Sequence, residues 1–535
     1  MQDAGARFRV FVADSIAGDG LEPLRSDPRF ELVERSGLKG EDLALALADA
    51  DAVIVRSSTR ITRESLSHAR RLQVIGRAGV GVDNIDIDAA TERGIAVLNA
   101  PSGNTISAAE LAFALILACV RRVPAADRSM KAGEWDRKSY TGTELYGKTL
   151  GLVGAGRIGG EVARRARGFG MRVVAFDPFL SAERAEALEI ELCELDDVLR
   201  RADVVSLHVP LTDTTAGLIG AEQMAMMRPG SYIVNAARGG VLDESALADA
   251  VRSGHIAGAG LDVFAEEPLP ADHPLRSLDG AVLTPHLGAA TEEAQQNVAL
   301  EIAEAVRAAL ADGDMTRAVN APAIGGEEMR RLRPLLELSE RLGRIAAVMV
   351  DGPAEHLAIR YSGPVDVAVR PIAAAVVTGV LRRVVGAGAI NMVNALHIAE
   401  ARGIHTERAR VGAHGPYEEF IEIKLATPRG EVRVAGAVVA GRHYRVVRIN
   451  RYRLVVQPRG SLVILQNRDV PGVIGRVGTL LGGHGINIAE YHQSRLQAGE
   501  DALAAISVDG AIPEGVMREL AGLPDVNSVV QVDLD

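Results

Sequence analysis

An arginine, a glutamate and a histidine stand at the ends of successive β-like runs: Arg238 after SYIVNAA, Glu267 just beyond AGAGLDVF, and His286 after AVLT. Open parallel sheets bind ligands at the carboxyl ends of their strands, so side chains leaving those ends converge on one crevice. Their types suit the oxidation of a secondary alcohol. A hydride leaves carbon while the hydroxyl proton departs, and a histidine is the base that works near neutral pH, the role of His286. A carboxylate beside the imidazole favours its charged form and fixes the ring, the role of Glu267. A guanidinium grips a carboxylate with two hydrogen bonds and polarises a developing 2-oxo group, the role of Arg238. Each alone has a plainer reading, as a structural histidine, a loop charge or a surface cation. Position behind a dinucleotide motif is what joins them.

That motif is GAGRIG, Gly154, Gly156 and Gly159 with Arg157 and Ile158 between them, directly after the run TLGLV and at the head of a helical stretch. The first glycine permits a tight turn, the second lets backbone N–H groups reach a pyrophosphate, and the third allows close helix–strand packing. Asp177 ends the next run, VVAFD, twenty-three positions past Gly154. An acid there accepts hydrogen bonds from the adenosine ribose hydroxyls and repels a 2′-phosphate. Pro178 and Phe179 follow it where an arginine would suit NADP, so the expected cofactor is NAD.

These residues need a scaffold. From Phe8 to about Asn99, short β-like runs (FRVFVAD, DAVIVRS, LQVIGRA, IAVLNA) alternate with helical stretches, the rhythm of a parallel sheet. A long apolar helix over Thr105 to Val123 follows, with Asn104 or Thr105 as its cap. Six further runs, TLGLVG, MRVVAFD, VVSLHV, SYIVNAA, AGAGLDVF and AVLTPH, describe a second doubly wound sheet. The helical stretch from Thr291 to Leu310 is expected to fold back onto the first sheet. Beyond NAPAIGGEE, residues 330 to 458 mix helices with alternating strands as a separate α+β unit, and the tail reads βαββαβ, the ferredoxin-like arrangement.

Composition narrows the classes. A chain of 535 residues is too long for one core, and 47% hydrophobic with 24% charged residues marks folded protein. A net charge of −11 without a basic stripe excludes a nucleic-acid surface, so an anionic ligand must be met by a few placed cations. Cys119 and Cys193 are too few for a disulfide framework and fit inert thiols in a reducing compartment. The first twenty residues lack an apolar signal core, and Leu111 to Val120 is about half a membrane span, so a cytoplasmic protein is expected.

The runs GLVGAGRIG, HVPLT, NAARGGVLDESAL, GAGLDVFAEEP and TPHLGAAT together resemble the D-2-hydroxyacid dehydrogenase family over about residues 8 to 318. The resemblance implies the catalytic set Arg238, Glu267 and His286. It implies that Asp262 meets the nicotinamide amide, and that His208, Pro210, Thr215, Ala236, Ala237 and Gly288 belong to the cofactor cleft. IVRSSTRIT, RAGVGVDNID and NAPSGNTISAAE resemble the branch that oxidises 3-phospho-D-glycerate to 3-phosphohydroxypyruvate at the head of L-serine synthesis. Arg56, Ser57, Gly79 and Asn104 would hold that substrate. GEWDRKSYTGTEL adds Arg137 and Lys138, in a segment that in the family can reach a neighbouring subunit's active site. The tail resembles an ACT domain, joined by the intervening domain of the longer family members. Its NRDVPGVIG and HGINI put Asn467, Asp469 and Asn487 forward as ligands of an L-serine effector, although serine-sensing relatives often carry histidine or tyrosine where Asn467 stands.

The implied partition is a substrate-binding unit of residues 1–104 and 290–319, an NAD-binding unit of 105–289, an intervening unit of 320–458 and an ACT unit of 459–535. The family suggests a homotetramer or homodimer. Two other readings stay open on the sequence: a dehydrogenase of another 2-hydroxy acid, which would not need Arg137 or Lys138, and an NAD-sensing co-regulator that keeps the site residues.

Overall fold

Strands without polar alternation become strands buried on both faces, and the N-terminal half of the chain is built from them. The computed structural model describes residues 7–386, 388–412 and 417–535, without the side chain of Asp366, so residues 1–6 of the expected substrate-binding unit lie outside the described residues. Its first sheet contains β1 (Phe8–Val12), β2 (Phe30–Glu34), β3 (Ala52–Val55), β4 (Val74–Arg77) and β5 (Ala96–Asn99). All are parallel, in the order β2-β1-β3-β4-β5. The 21-residue helix Glu292–Asp312 starts at Thr291, whose hydroxyl accepts the Ala294 N–H, and ends where Gly313 turns left-handed. It lays Val298, Ile302 and Val306 on this sheet beside Val10, Ile54 and Leu98. A Cβ at Gly76 of β4 would stand 2.8 Å from Val306, so glycine is what lets helix and strand meet this closely.

The second sheet has seven parallel strands: β6 (Thr149–Val153), β7 (Arg172–Phe176), β8 (Glu191–Leu192), β9 (Val204–Leu207), β10 (Ser231–Asn235), β11 (Ile256–Leu261) and β12 (Ala281–Leu283). Their order is β12-β11-β10-β9-β6-β7-β8. The strand order reverses between β6 and β9, which is where an open sheet of this kind forms its ligand crevice. The sequence led to six strands. The seventh, β8, is a two-residue edge strand, too short to leave a periodic signal.

The apolar helix between the sheets also departs from expectation. It spans Thr105–Val120 and does not reach Val123, because Arg122 turns left-handed (φ 53°) and a new helix, Val123–Lys131, starts with a proline in its first turn. Asn104 occupies the N-cap position but makes no capping bond with its side chain.

The third sheet runs β14-β13-β15-β16-β17-β18, from β13 (His356–Ser362), β14 (His405–Arg410), β15 (Glu419–Thr427), β16 (Gly430–Val439), β17 (His443–Ile449) and β18 (Tyr452–Val456). Only β13 and β14 pair in parallel. The helices Gly326–Val348 and Val369–Val385 cover one face, backbone against backbone at Gly343 and Gly379. Asn391 and Asn394 of this unit donate to Gly94 O (2.8 Å) and Glu92 O (3.3 Å) of the first.

The fourth sheet, β20-β21-β19-β22, is antiparallel: β19 (Ser461–Arg468), β20 (Ile488–Arg495), β21 (Asp501–Val508) and β22 (Val526–Asp533). With helices Val473–Gly483 and Glu514–Ala521 on one side it is the split βαβ arrangement. Arg341 and Arg344 of the third unit hold the chain end through the carbonyls of Leu534 and Asp535, each at 3.0 Å. Among the described residues no helix is long and apolar enough to cross a membrane. Cys119 is buried, and burial pushes its thiol up to about 12, where it is inert at neutral pH.

Candidate active site

β10, β11 and β12 lie side by side, and the loops after them carry the three strand-end residues. His286 sits in the left-handed region (φ 55°), a conformation that costs a non-glycine residue and needs its surroundings to hold it. The hold comes from Asp262, at the end of β11 and 1% exposed. Its backbone carbonyl accepts the His286 N–H (2.8 Å). Its carboxylate accepts from Thr284 Oγ1 (2.6 Å), Leu287 N (2.7 Å) and Gly288 N (2.9 Å). Burial still raises the Asp262 carboxyl above the ordinary carboxylate range, against the pull of those three donors.

Turned by this clamp, the imidazole Nδ1 lies 2.8 Å from Glu267 Oε2, while Oε1 accepts the Phe264 N–H at 3.1 Å. Nδ1 engaged with a carboxylate leaves Nε2 as the nitrogen free to take a proton from a substrate. Both side chains line a cleft of about 520 Å³ with Phe264, Pro268, Leu283 and Pro285. Arg238 joins this group through its neighbour Gly239, where a Cβ would overlap the Phe264 carbonyl. Buried Asn235 shapes the turn by donating to Arg238 O (2.9 Å) and accepting from Ala237 N (3.1 Å).

Arg238 also reaches the other sheet. Its Nε is 3.2 Å from Asp83 Oδ2, and a Cβ at Gly81 would overlap its Nη2. Beside it is Arg77, the last residue of β4, whose Nη1 occupies the space of the missing Gly79 side chain. Arg77 is half-buried, with its Nε buried and unpaired. Burial and the nearby Arg238 push it down to about 10, with Arg56 adding to the same effect, yet it keeps its charge at neutral pH. Arg77 therefore feels the guanidinium groups of Arg238 and Arg56, with Asp83 and Asp14 as counter-charges. The backbone of Arg56 is fixed by Asp14 (2.5 Å to its N–H) and by Asn84 (2.6 Å to its carbonyl). Asn104 Oδ1 is buried without a partner, one turn from Ala108, which abuts Gly288. Ser57 lies on a neighbouring groove with Lys39, Thr59 and Arg60.

Neither Arg77 nor Asp83 was singled out in the sequence, although both follow the strand-end logic that nominated Arg238. Arg137 and Lys138 are not brought to this cleft. They sit on an exposed segment tied to the far end of the helix Thr105–Val120 by Thr143 N–Val120 O (2.8 Å) and Arg122 Nη1–Ser139 O (2.6 Å). Sixteen helical residues span about 24 Å from the Asn104 end.

The glycine turn has the form a dinucleotide needs. Gly154 is left-handed (φ 91°), a Cβ at Gly156 would meet nothing within 4 Å, and one at Gly159 would overlap the Gly154 carbonyl. The first helical N–H to find a backbone acceptor is that of Gly160, which leaves those of Arg157, Ile158 and Gly159 at the helix head for a phosphate. Asp177 ties the turn to the strand end, accepting from Ala155 N and Phe179 N at 2.9 Å each. Thr215 Oγ1 donates to Pro210 O (2.6 Å) and so orders the loop after β9, and Ala236 packs on the core beneath the cleft. His208 bonds Ser206 through Nε2 at 2.9 Å, and burial pushes its imidazole down to about 4, so it is neutral.

In the last unit, Asp469 accepts from Arg495 Nη1 (2.7 Å), which holds its carboxyl below the usual range, and Asn487 donates to Asp509 (2.8 Å). Asn467 is fully buried on β19, with Nδ2 on the Arg468 carbonyl and Oδ1 unpaired.

With this geometry in view, comparison with known proteins defines the class. Residues 113–288 match the model of the D-isomer specific 2-hydroxyacid dehydrogenase NAD-binding domain, 331–450 that of the D-3-phosphoglycerate dehydrogenase intervening domain, and 461–525 that of the ACT domain. The chain is 40% identical over 528 residues to the D-3-phosphoglycerate dehydrogenase of Bacillus subtilis, covering 98% of this chain and 100% of that one. It is equally similar, with the same coverage, to the enzyme of that name from Methanocaldococcus jannaschii. The structure of D-lactate dehydrogenase from Aquifex aeolicus complexed with NAD and lactic acid aligns with a TM-score of 0.52 at 29% identity, over 59% of this chain and 100% of that one. The chain belongs to the D-2-hydroxyacid dehydrogenase family, in the long form of the D-3-phosphoglycerate dehydrogenases with intervening and ACT domains. Its cofactor is the NAD of that family's nucleotide-binding domain.

Proposed function

We propose that the protein oxidises 3-phospho-D-glycerate to 3-phosphohydroxypyruvate, the opening reaction toward L-serine. The observation that carries this is the His286–Glu267 pair at 2.8 Å, to which the strand-end Arg238 and its electrostatic neighbours Arg77 and Arg56 add positive charge. A substrate bearing both a carboxylate and a phosphate needs more than one guanidinium, and Arg238, Arg77 and Arg56 are near enough to influence one another. Bound NAD supplies the hydride acceptor. His286 takes the hydroxyl proton on Nε2, Glu267 stabilises the imidazolium that forms, and Arg238 leaves Asp83 to bind the substrate carboxylate and the growing carbonyl charge. Asp262, satisfied on both oxygens by the loop that carries His286, positions that residue and keeps one lone pair for the nicotinamide amide.

The units assigned from the sequence, residues 1–104 with 290–319, 105–289, 320–458 and 459–535, are the working partition for substrate, NAD, intervening and ACT roles. Arg137 and Lys138 act, on this reading, on a neighbouring subunit's substrate in a homotetramer or homodimer. L-serine acts through Asn467, Asp469 and Asn487 of the ACT unit, and the enzyme works in the cytoplasm. An NADH-forming assay with 3-phosphoglycerate, repeated with D-glycerate and D-lactate and with added L-serine, tests these points. The phosphorylated acid should give the highest kcat/KM; a preference for an unphosphorylated acid removes the assignment, and NADH binding without turnover on any of them points to a sensor.

A further inference from the structure

We propose that His356, His405 and Glu407 form a binding site for a divalent transition-metal ion, of the zinc class, on the open face of the third sheet. The donor atoms of the three side chains all lie within 4.8 Å of one another. They come from two adjacent strands that pair in parallel, with His356 opposite His405 and Ala358 opposite Glu407. Residues two apart share a face of a strand, so this register places both imidazoles and the carboxylate on one side. The alternation of β13 fixes which side it is. Leu357, Ile359 and Tyr361 are buried under the helices, while His356, Ala358 and Arg360 point the other way.

The corner of the square not occupied by a ligand is Ala358, whose methyl group leaves room for an ion and offers no competing charge. The nearest lysine on that face, Lys424, stands opposite Ala358 on β15 and is already bound to Glu431 at 2.7 Å. His356 Nε2 is 3.5 Å from Glu407 Oε1, and the two imidazoles lie 5.1 Å apart with their planes at 41°. A tetrahedral zinc ion with bonds of about 2.0–2.2 Å holds neighbouring donors roughly 3.4 Å apart. One pair is already at that spacing. The others close by side-chain rotation at His405 and Glu407, both exposed.

Two imidazoles and one carboxylate select zinc, cobalt, nickel or copper over magnesium and calcium, which take all-oxygen sets. Three protein ligands leave a coordination position for water or a further donor. The site would also hold down an edge. β14 is the outermost strand of its sheet, joined only to β13, and a metal bridging the two strands adds a link where the hydrogen-bond ladder ends.

The test uses the full-length protein, stripped of metal and titrated with zinc by calorimetry, then with cobalt to read visible d–d absorption. One equivalent per chain should bind at micromolar or lower dissociation constant, and Glu407→Gln should weaken it at least tenfold. His405→Ala should remove that equivalent while leaving metal-free dehydrogenase activity and the circular-dichroism melt unchanged. Zinc can also meet the His286–Glu267 pair, so the comparison with His405→Ala is decisive. No binding at micromolar zinc, or the same stoichiometry in His405→Ala and wild type, overturns the proposal.

Discussion

The catalytic cleft and the three effector candidates of the C-terminal unit both present polar side chains, and the two sets differ in which of those side chains are already satisfied. In the cleft, Arg77 Nε and Asn104 Oδ1 are buried without partners, and Arg238 is held across the crevice by Asp83 at 3.2 Å. Of the three effector candidates, Asp469 is taken by Arg495 and Asn487 by Asp509, and only Asn467 keeps an unpaired atom, its Oδ1. A buried polar group without a partner costs about 1–3 kcal/mol, so a cleft that keeps two is shaped in advance for a ligand that completes them. An effector at Asp469 and Asn487 would instead have to break existing pairs. The difference predicts large effects from the first set of residues and small ones from the second.

The largest effect belongs to the base. His286→Ala should lower kcat about a thousandfold, within the usual range for removing a general base, while NADH affinity by fluorescence titration stays within about twofold. Weakened NADH binding with normal turnover would make His286 a structural residue of the loop that Asp262 clamps.

Next in size is Arg77. Arg77→Met keeps the apolar bulk and removes the charge, so KM for the phosphorylated acid should rise about thirtyfold, equivalent to roughly 2 kcal/mol. Arg238 and Arg56 disfavour the charge of Arg77, so the variant should melt no lower than the wild type. A lower melting temperature with an unchanged KM would assign Arg77 to packing alone.

His208 gives a smaller, pH-dependent effect. Above pH 6.5 its imidazole is neutral folded and unfolded, and it contributes nothing. Between 6.5 and the folded value of about 4, the unfolded chain takes up a proton that the folded protein refuses. Stability is therefore lost as pH falls through that window, by up to about 3 kcal/mol from this one group. Denaturant melts of wild type and His208→Gln at pH 7 and 4.5 should show a steeper loss in the wild type, and parallel losses would show that the imidazole is solvated.

How much of this was legible in the sequence follows the same division. The glycine turn and the trio Arg238, Glu267 and His286 could be read because local patterns place them: a strand, a turn and a helix for the first, strand ends for the second. Arg77 and Asp83 were passed over although Arg77 ends β4, because nothing local shows that it lies near another unit's arginine. The helix break at Arg122 had a signal in Pro124 that apolarity outweighed, and β8 had too few residues to give one. Asn104 reads as a cap from its type alone, and only the three-dimensional neighbourhood shows its oxygen left without a donor.

The smallest effect tests the other half of the comparison. Asp469 and the exposed Arg495 form a surface pair at 2.7 Å, in which the guanidinium's hydrogen bond depresses the carboxyl. Such pairs contribute little to folding, because two long side chains lose freedom to make a contact that water and salt weaken. Asp469→Asn should shift the melting temperature by no more than about 2 °C and leave kcat and KM unchanged without effector. Any response to L-serine, by contrast, should weaken, since an amide cannot answer the effector's ammonium as a carboxylate does. If the variant kept the full response, the carboxylate would belong to Arg495 alone, and the effector, if bound, would be held elsewhere in the unit.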